Sequence, residues 1–262
     1  MIGRLLIISL VLVMLYMTLW FMAARRRQRL DTVDSAWGGG FAVIAWTVVV
    51  QQPSARTLVA AVLVTIWSGR LTSHLAKRSS QGQEDPRYVE MAKKWKGDLW
   101  TRAYWSIFIT QGLLIWLIGL PLVLNAGILH DQWAWLTNLA IIIWFAGFIF
   151  ESVADNQLSR FRSDAANKGK NMDHGLWRYS RHPNYFGELV QWWAIGLLAL
   201  QVAWGWIGLV GPLLLTILIV FVSGIPPIEK KRKDNAEYQA YKKRTSVLIP
   251  LPPRTVQTKE RK

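Results

Sequence analysis

Apolar runs alternate with short polar connections along this chain of 262 residues. Seven of the runs approach the length that a helix needs to cross a bilayer, about 17–25 mostly apolar residues. They cover residues 5–22, 33–50, 57–74, 104–124, 133–150, 189–204 and 206–225. The pattern predicts an all-α integral membrane protein with seven transmembrane helices, the last two of which form a tight hairpin.

The composition supports the membrane class. Hydrophobic residues make up 52% of the chain, which contains 16 tryptophans and no cysteine, and the mean hydropathy is +0.20. The lack of cysteine excludes disulfides and thiolate metal sites. No small-residue cleavage site follows Met22, so we expect the first run to be a retained helix and not a signal peptide. We predict a single domain over residues 1–253, followed by a basic cytoplasmic tail over residues 254–262.

Positive charge is restricted to alternate connections. The net charge is +15, and all but two of the 31 lysines and arginines lie at residues 25–29, 70–102 and 160–181 or from residue 230 onward. This alternation follows the positive-inside rule and predicts an N-terminus outside and a C-terminus in the cytoplasm. A nucleic-acid-binding face would not alternate with each apolar run, so we expect no nucleic acid partner.

The fifth helix continues beyond its apolar part with charged residues on one face. Glu151, Asp155 and Arg162 are separated by four and seven residues, which places them on the same side of a helix. They are either solvated charges or ligand contacts, because carboxylates directly after an apolar span require hydrogen-bond donors such as ribose hydroxyls. Arg162, Lys168 and Lys170 are suited to phosphate groups.

Residues 175–188, called the motif segment below, carry the highest density of polar side chains beside an apolar run. Pro183 is placed where a helix can begin, and a helix N-terminus favours anions. Interfacial anchoring explains the aromatic residues of the segment but not Glu188, one turn inside the apolar run. We therefore expect Asn184 and Glu188 to contact a ligand, while His182 either contacts it, caps the helix or stacks.

Further polar candidates lie in the N-terminal half. Trp67, Arg70 and His74 share one face of the third helix, where Arg70 either snorkels to the interface or lines a site. Asp34 at the start of the second helix is another polar residue in an apolar setting. The four histidines show no pairing at helical or hairpin spacing, so we predict no metal site.

Residues 150–253 resemble the C-terminal half of the membrane steroid 5α-reductases, and the whole chain resembles their bacterial relatives. Asp155 and Arg162 stand where that family has an aspartate and an arginine that contact NADPH, and Lys170 replaces a second cofactor arginine. The motif segment follows the family's Gly-Leu-Phe…Asn-Phe-Leu-Gly-Glu signature, and residues 241–250 fit its C-terminal pattern.

The chain also departs from that family's pattern. Glu151 replaces an asparagine, and Lys230 and Asp234 stand at the positions of a histidine and a tyrosine in the C-terminal part of the family's sequences. If Arg70 matches a family arginine, Trp67 stands where the family has its catalytic tyrosine. The resemblance therefore leaves the catalytic acid open among four residues: Asp34, His74, Tyr88 and Tyr104.

The resemblance implies an oxidoreductase that uses NADPH to reduce the double bond of an enone lipid such as a 3-oxo-Δ4-steroid. It implies a bacterial inner-membrane protein, expected as a monomer, whose active site opens to the cytoplasm. The residues expected to bind the cofactor are Arg70, Glu151, Asp155, Arg162, Lys170, Tyr179, Arg181, His182, Asn184, Tyr185, Glu188 and Tyr241.

Two alternatives remain open. Residues 181–187 also satisfy the Arg-His-Pro-x-Tyr-x-Gly element of isoprenylcysteine carboxyl methyltransferases, which bind S-adenosylmethionine. The chain is alternatively a non-catalytic lipid-binding membrane protein, because a fold alone does not establish an activity.

Overall fold

The computed structural model describes residues 1–80, 84–127 and 135–255, without the side chains of residue 74 and residues 76–80. Within these ranges the regular secondary structure is helical, apart from an isolated parallel bridge between Ser180 and Ser246. The predicted all-α class is confirmed for this part of the chain. Residues 133–134, where the fifth predicted span begins, and most of the predicted tail lie outside the described residues.

The α-helices are α1 Ile2–Arg27, α2 Thr32–Gln51, α3 Ala55–Ser80, α4 Pro86–Lys93, α5 Leu99–Ala103, α6 Thr110–Ile118, α7 Leu120–Leu124, α8 Trp135–Ser163, α9 Pro183–Ala199, α10 Val210–Ile217, α11 Ile225–Lys231 and α12 Ala236–Arg244. Two wider π-helical stretches, Tyr104–Ile109 and Leu218–Val222, continue α5 and α10. Short 3₁₀ turns occupy Ala165–Asn167, Gly175–Arg178 and Gly205–Leu209.

Two of the predicted spans are interrupted helices. The fourth predicted span begins as a π-helix, continues as an α-helix and breaks at Gly119, just before Pro121. The seventh breaks at Ser223 and Gly224, ahead of two prolines that open α11. Proline lacks the amide hydrogen that a continuous helix requires, which explains why both breaks precede prolines.

Four helical segments of the described chain are long and apolar enough to cross a membrane: Ile2–Arg27, Thr32–Gln51, Trp135–Ser163 and Gly205–Lys231. They expose large apolar side chains, including Ile7 at 66%, Ile142 at 66% and Phe221 at 72%. Apolar surface of this extent is typical of contact with lipid. The chain is therefore a membrane protein.

Two compact units make up the chain. Unit 1 comprises Met1–Thr137 and Ile195–Gly211, and unit 2 comprises Asn138–Ala194 and Pro212–Lys262. In unit 1, α2 packs against α1 and α3. The glycines of α2 allow this close packing: a Cβ on Gly38 would lie 3.1 Å from the Ser68 backbone, and one on Gly39 would lie 2.3 Å from the Tyr16 hydroxyl.

In unit 2, α8 and the first part of α9 cross at a pair of glycines. A Cβ on Gly187 would lie 2.6 Å from the backbone nitrogen of Glu151, and one on Gly147 would lie 2.8 Å from the carbonyl oxygen of Gly187. Only residues without a side chain allow the two backbones to approach this closely. The crossing fixes the part of α8 that carries Glu151 beside the start of α9. Also in unit 2, Trp193 Nε1 donates to Thr216 Oγ1 at 3.2 Å and links α9 to α10.

Candidate functional site

The structure brings the motif segment and α8 into direct contact, although they are separate in the sequence. Asn184 Nδ2 donates to Asp155 Oδ1 at 3.1 Å. The Leu176 amide donates to Gln157 Oε1 at 3.0 Å, and Trp177 Nε1 donates to the Ala154 carbonyl at 3.1 Å. The two segments that the sequence singled out for a ligand therefore pack against each other within unit 2. The helix predicted to begin at Pro183 is confirmed.

Glu151 is buried at this contact, with 3% of its surface exposed. Gln191 Nε2 donates to Glu151 Oε2 at 2.6 Å and to the Gly187 carbonyl at 3.2 Å. Gln191 Oε1 is buried and has no hydrogen-bond partner in the described part of the chain. Glu188 is half-buried on the same helix, one turn before Gln191. The sequence analysis did not identify Gln191, although a glutamine three residues after Glu188 in an apolar helix is a detectable signal.

Arg181 joins the motif segment to the C-terminal helices. Its Nε and Nη2 donate to Glu229 Oε1 at 2.9 and 2.6 Å, and its Nη1 donates to the Thr245 carbonyl at 2.6 Å. Lys242 Nζ donates to Glu229 Oε2 at 2.6 Å. Each guanidinium nitrogen of Arg181 thus has a protein acceptor, which gives this residue a bracing role in unit 2. Glu229 was not identified from the sequence, because its partners lie 48 and 13 residues away.

His182 is enclosed beside this network. Its side chain is only 4% exposed, its ring stacks on Tyr185 at 5.7 Å, and Nε2 lies 3.7 Å from Glu229 Oε1. Burial lowers the pKa of His182, and the neighbouring Glu229 carboxylate opposes this effect. The imidazole is therefore held mainly neutral at neutral pH. Stacking was one of the three roles that the sequence left open for His182, and the ring does stack on Tyr185.

The C-terminal segment docks against the motif segment. The Tyr241 hydroxyl donates to the carbonyls of Trp177 and Ser180, and burial raises the pKa of Tyr241. The Leu251 amide donates to the Tyr179 carbonyl at 3.0 Å, while the Tyr179 side chain is 42% exposed. Tyr241 therefore uses its hydroxyl within the fold, and Tyr179 presents its ring outward.

A cavity of about 300 Å³ lies at the C-terminal end of α8 in unit 2. We call it the basic pocket, and its polar lining includes Arg162, Asn167, Lys168, Lys170, Asn171 and Arg232. No aspartate or glutamate is among the described residues that line it. Four cationic side chains without a lining carboxylate form a site suited to an anion such as phosphate. Arg162, Lys168 and Lys170, which the sequence assigned to phosphate groups, are brought together here.

The candidate acids lie in unit 1. The Tyr88 hydroxyl donates to Asp34 Oδ1 at 2.5 Å, and Arg87 Nη2 donates to Asp34 Oδ2 at 3.0 Å. Burial, together with the negative charge of Asp34, raises the pKa of Tyr88, so this hydroxyl keeps its proton. The Tyr104 hydroxyl lies 3.1 Å from Thr18 Oγ1.

Two further predicted residues belong to α3. Arg70 is half-buried on this helix in unit 1. His74 is also on α3, but its side chain lies outside the described residues. The structure therefore pairs two of the four candidate acids, Asp34 and Tyr88, with each other.

Comparisons with known proteins point to one family. The DUF1295 family, described as proteins of unknown function, matches residues 20–245, and it includes steroid 5α-reductase-like membrane proteins. An uncharacterized protein of Schizosaccharomyces pombe, C594.04c, is 29% identical over 193 residues, which are 60% of this chain and 55% of that protein. The chain thus spans about half the length of this relative. No solved structure gives a significant match.

Proposed function

This chain belongs to the DUF1295 family, and we propose that it is an NADPH-dependent membrane reductase. Its substrate in this proposal is an enone lipid such as a 3-oxo-Δ4-steroid, whose carbon–carbon double bond receives a hydride. We further propose seven transmembrane helices in a bacterial inner membrane, with the N-terminus outside and the cofactor entering from the cytoplasm. The distribution of lysine and arginine in the sequence supports this orientation.

The observation that carries the proposal is the surface of unit 2 formed by α8, the motif segment and the basic pocket. It offers carboxylates and amides near Asp155 and Asn184 for the hydroxyl and amide groups of a nucleotide. At the other end it offers four cationic side chains for phosphates. Glu151 and Arg162 are eleven residues apart on α8, or about 16 Å at 1.5 Å per residue. A surface of this length and polarity suits an extended dinucleotide.

The same observation favours NADPH over S-adenosylmethionine. S-adenosylmethionine contains no phosphate, so a pocket lined by Arg162, Lys168, Lys170 and Arg232 would have no anionic group of that kind to bind. The Arg181 and His182 positions that suggested a methyltransferase are explained within unit 2 by Glu229 and Tyr185.

NADPH held on this surface would supply a hydride for the β-carbon of the enone. The electron pair of the double bond then moves toward the carbonyl oxygen, where a proton donor stabilises the developing enolate. The candidates for this donor are Asp34, His74, Tyr88 and Tyr104. The Tyr88 hydroxyl donates its single proton to Asp34, and its raised pKa makes it a weaker acid than a free tyrosine.

Ligand-induced stabilisation of the purified full-length chain in detergent separates the three functions considered for it. Stabilisation by NADPH supports the reductase, and stabilisation by S-adenosylmethionine supports the methyltransferase. A chain that neither ligand stabilises supports the non-catalytic lipid-binding protein. We expect Arg162→Ala to reduce the NADPH effect and Arg160→Ala to leave it unchanged. Arg160 is the matched control, since it is exposed on the same helix and does not line the basic pocket.

Turnover is tested by following NADPH absorbance with Δ4-3-ketosteroids and polyprenyl enones. Replacement of the proton donor is expected to lower kcat by about 10²–10⁴-fold, the usual contribution of a general acid, while the NADPH affinity stays unchanged. Asp34→Asn, His74→Gln, Tyr88→Phe and Tyr104→Phe are compared, and the variant that shows this loss identifies the donor. Normal kcat in all four variants would exclude these residues as the acid. NADPH affinity that survives both Asp155→Ala and Glu188→Ala would contradict the cofactor site.

A further inference from the structure

Two residues of the basic pocket, Asn171 and Arg232, were not singled out by the sequence. Asn171 is 7% exposed and lies on the floor of the pocket. Arg232 directly follows the last residue of α11 and is half-buried. Arg232 Nη1 donates to Asn171 Oδ1 at 3.2 Å, and its guanidinium lies over the ring of Tyr238, 5.2 Å from the centroid. The Arg232 side chain is thereby oriented by two neighbours in unit 2.

The contact between Asn171 and Arg232 shows which hydrogen-bonding atom in the pocket lacks a partner among the described residues. A guanidinium can only donate hydrogen bonds, so the Asn171 atom that faces Arg232 is the carbonyl oxygen. The other atom, Asn171 Nδ2, is then a donor, and it is buried without a hydrogen-bond partner in the described residues. A buried donor left unsatisfied is costly, and the missing group must be an acceptor. The pocket around this donor is lined by cationic side chains, which indicates that the acceptor is an anion.

The position of the pocket distinguishes it from the rest of the proposed cofactor surface. Its exposed rim carries Arg162, Lys168 and Lys170, and its floor carries Asn171 and Arg232. It lies at the C-terminal end of α8, about three helical turns from the buried Glu151. A phosphate monoester at the end of an elongated ligand fits a site with an arginine held by two neighbours, a buried amide donor and exposed lysines at the rim.

We infer that Asn171 and Arg232 form a phosphate monoester site and, given the proposed function, that they bind the 2′-phosphate of NADPH. They would then be the residues that select NADPH over NADH, since the two cofactors differ only in that group. The pyrophosphate, which both cofactors share, would be bound elsewhere on the surface.

The test measures the affinity of the full-length chain in detergent for NADPH, NADH, 2′-AMP and 5′-AMP by calorimetry. Arg232→Gln is expected to weaken NADPH and 2′-AMP binding by about tenfold to a hundredfold, because charge-assisted hydrogen bonds are lost. NADH and 5′-AMP binding should stay within about twofold, as expected for ligands without the recognised group. Asn171→Ala should also weaken the binding of NADPH and 2′-AMP but not that of NADH and 5′-AMP, with a smaller loss of affinity than Arg232→Gln. Lys231→Gln is the control, as it removes the same charge from the preceding residue, which does not line the pocket.

The outcomes separate this inference from the proposed function. Equal weakening of NADPH and NADH by Arg232→Gln, or equal effects of Arg232→Gln and Lys231→Gln, would overturn the 2′-phosphate assignment. Reduction of an enone with NADPH but no Arg232-dependent binding of 2′-AMP would keep the reductase and overturn the site. Arg232-dependent binding of 2′-AMP in a chain that binds neither NADPH nor NADH would support the phosphate site and overturn the proposed function.

Discussion

The two units of this protein use polar residues in different ways. In unit 1, buried or half-buried polar groups pair with one another and tie helices together. Asp34 accepts from Tyr88 and Arg87, and Asn125 Nδ2 donates to the Arg56 carbonyl at 3.2 Å. Each of these pairs joins residues at least 50 positions apart in the chain, so their role in the fold is clear.

Unit 2 combines similar pairs with buried polar atoms that have no hydrogen-bond partner in the described residues. These atoms are Ser152 Oγ, Asn171 Nδ2, His182 Nε2 and Gln191 Oε1. Native structures rarely leave such atoms unsatisfied, and the exceptions usually reflect a bound group or a functional role. Pairing among the described residues therefore does not by itself explain unit 2, the unit to which we assign the proposed ligand surface. Four predictions test the difference.

The largest effect is expected from Glu229→Ala, which breaks the network that braces unit 2. Arg181, whose side chain is 7% exposed, would lose its carboxylate partner and remain buried as an unpaired charge. Breaking a buried pair in this way typically costs about 3–5 kcal/mol of unfolding free energy. The measurement is unfolding by SDS followed by tryptophan fluorescence.

Asp173→Ala is the control for that experiment. It removes a carboxylate that pairs with Arg244 at the surface, where the side chains are 39% and 47% exposed. Surface pairs contribute about 0–1 kcal/mol. If both variants lose the same small amount, the Arg181–Glu229 pair does not brace unit 2.

Gly187→Ala tests the crossing of α8 and α9. The new Cβ would lie 2.6 Å from the backbone nitrogen of Glu151, which cannot move without displacing α8. Overpacking of this kind costs about 1–3 kcal/mol. Gly69→Ala in α3 is the matched control, because its Cβ would meet nothing within 4 Å. We expect Gly69→Ala to be neutral or stabilising, and equal losses in the two variants would refute the close crossing.

Tyr88→Phe tests the pairing in unit 1. It removes the hydroxyl that donates to Asp34, while Arg87 still donates to the same carboxylate. Because Asp34 keeps one partner, we expect a loss of about 1 kcal/mol in the free energy of unfolding. Asp34→Ala removes the acceptor for both donors and should cost more. An Asp34→Ala variant as stable as the wild type would show that this pairing does not hold unit 1 together.

The smallest effect concerns pH. Burial holds the pKa of His182 below its usual 6.5, so the unfolded chain binds a proton in a range where the folded chain does not. Stability due to His182 is therefore complete above about pH 6.5 and falls as the pH drops toward the folded pKa. Glu229 opposes this effect while Arg181 and Arg232 reinforce it, so we expect less than about 1 kcal/mol between pH 7.5 and 5.5.

His182→Gln should reduce this pH dependence, and His174→Gln should not, because the His174 side chain is 66% exposed. Unfolding titrations at the two pH values, made for wild type and both variants, provide the comparison. A pH dependence that is identical in wild type and His182→Gln would assign the effect to other groups.

The sequence predicted the surface of α8 and the motif segment better than the basic pocket. Asp155 and Arg162 were identified because they recur on one helical face next to an apolar run, and Asn184 and Glu188 because they are polar beside another run. Such signals are local. Arg232 gave no signal of this kind, since it is one of four consecutive basic residues, 230–233. Only the fold distinguishes it from its neighbours, by its contact with Asn171.

The sequence by itself determined the membrane class, the helical structure and the positions of the apolar runs, because hydropathy and helical periodicity are properties of neighbouring residues. The tertiary structure alone decided which polar residues meet. Glu229 reaches Arg181 across 48 residues, Asp34 reaches Tyr88 across 54, and Asn171 reaches Arg232 across 61. Hydrogen bonds act over about 3 Å, so contacts between distant residues depend on the path of the chain. In unit 2, Gly147 and Gly187 allow the backbones of α8 and α9 to approach closely, because glycine has no side chain.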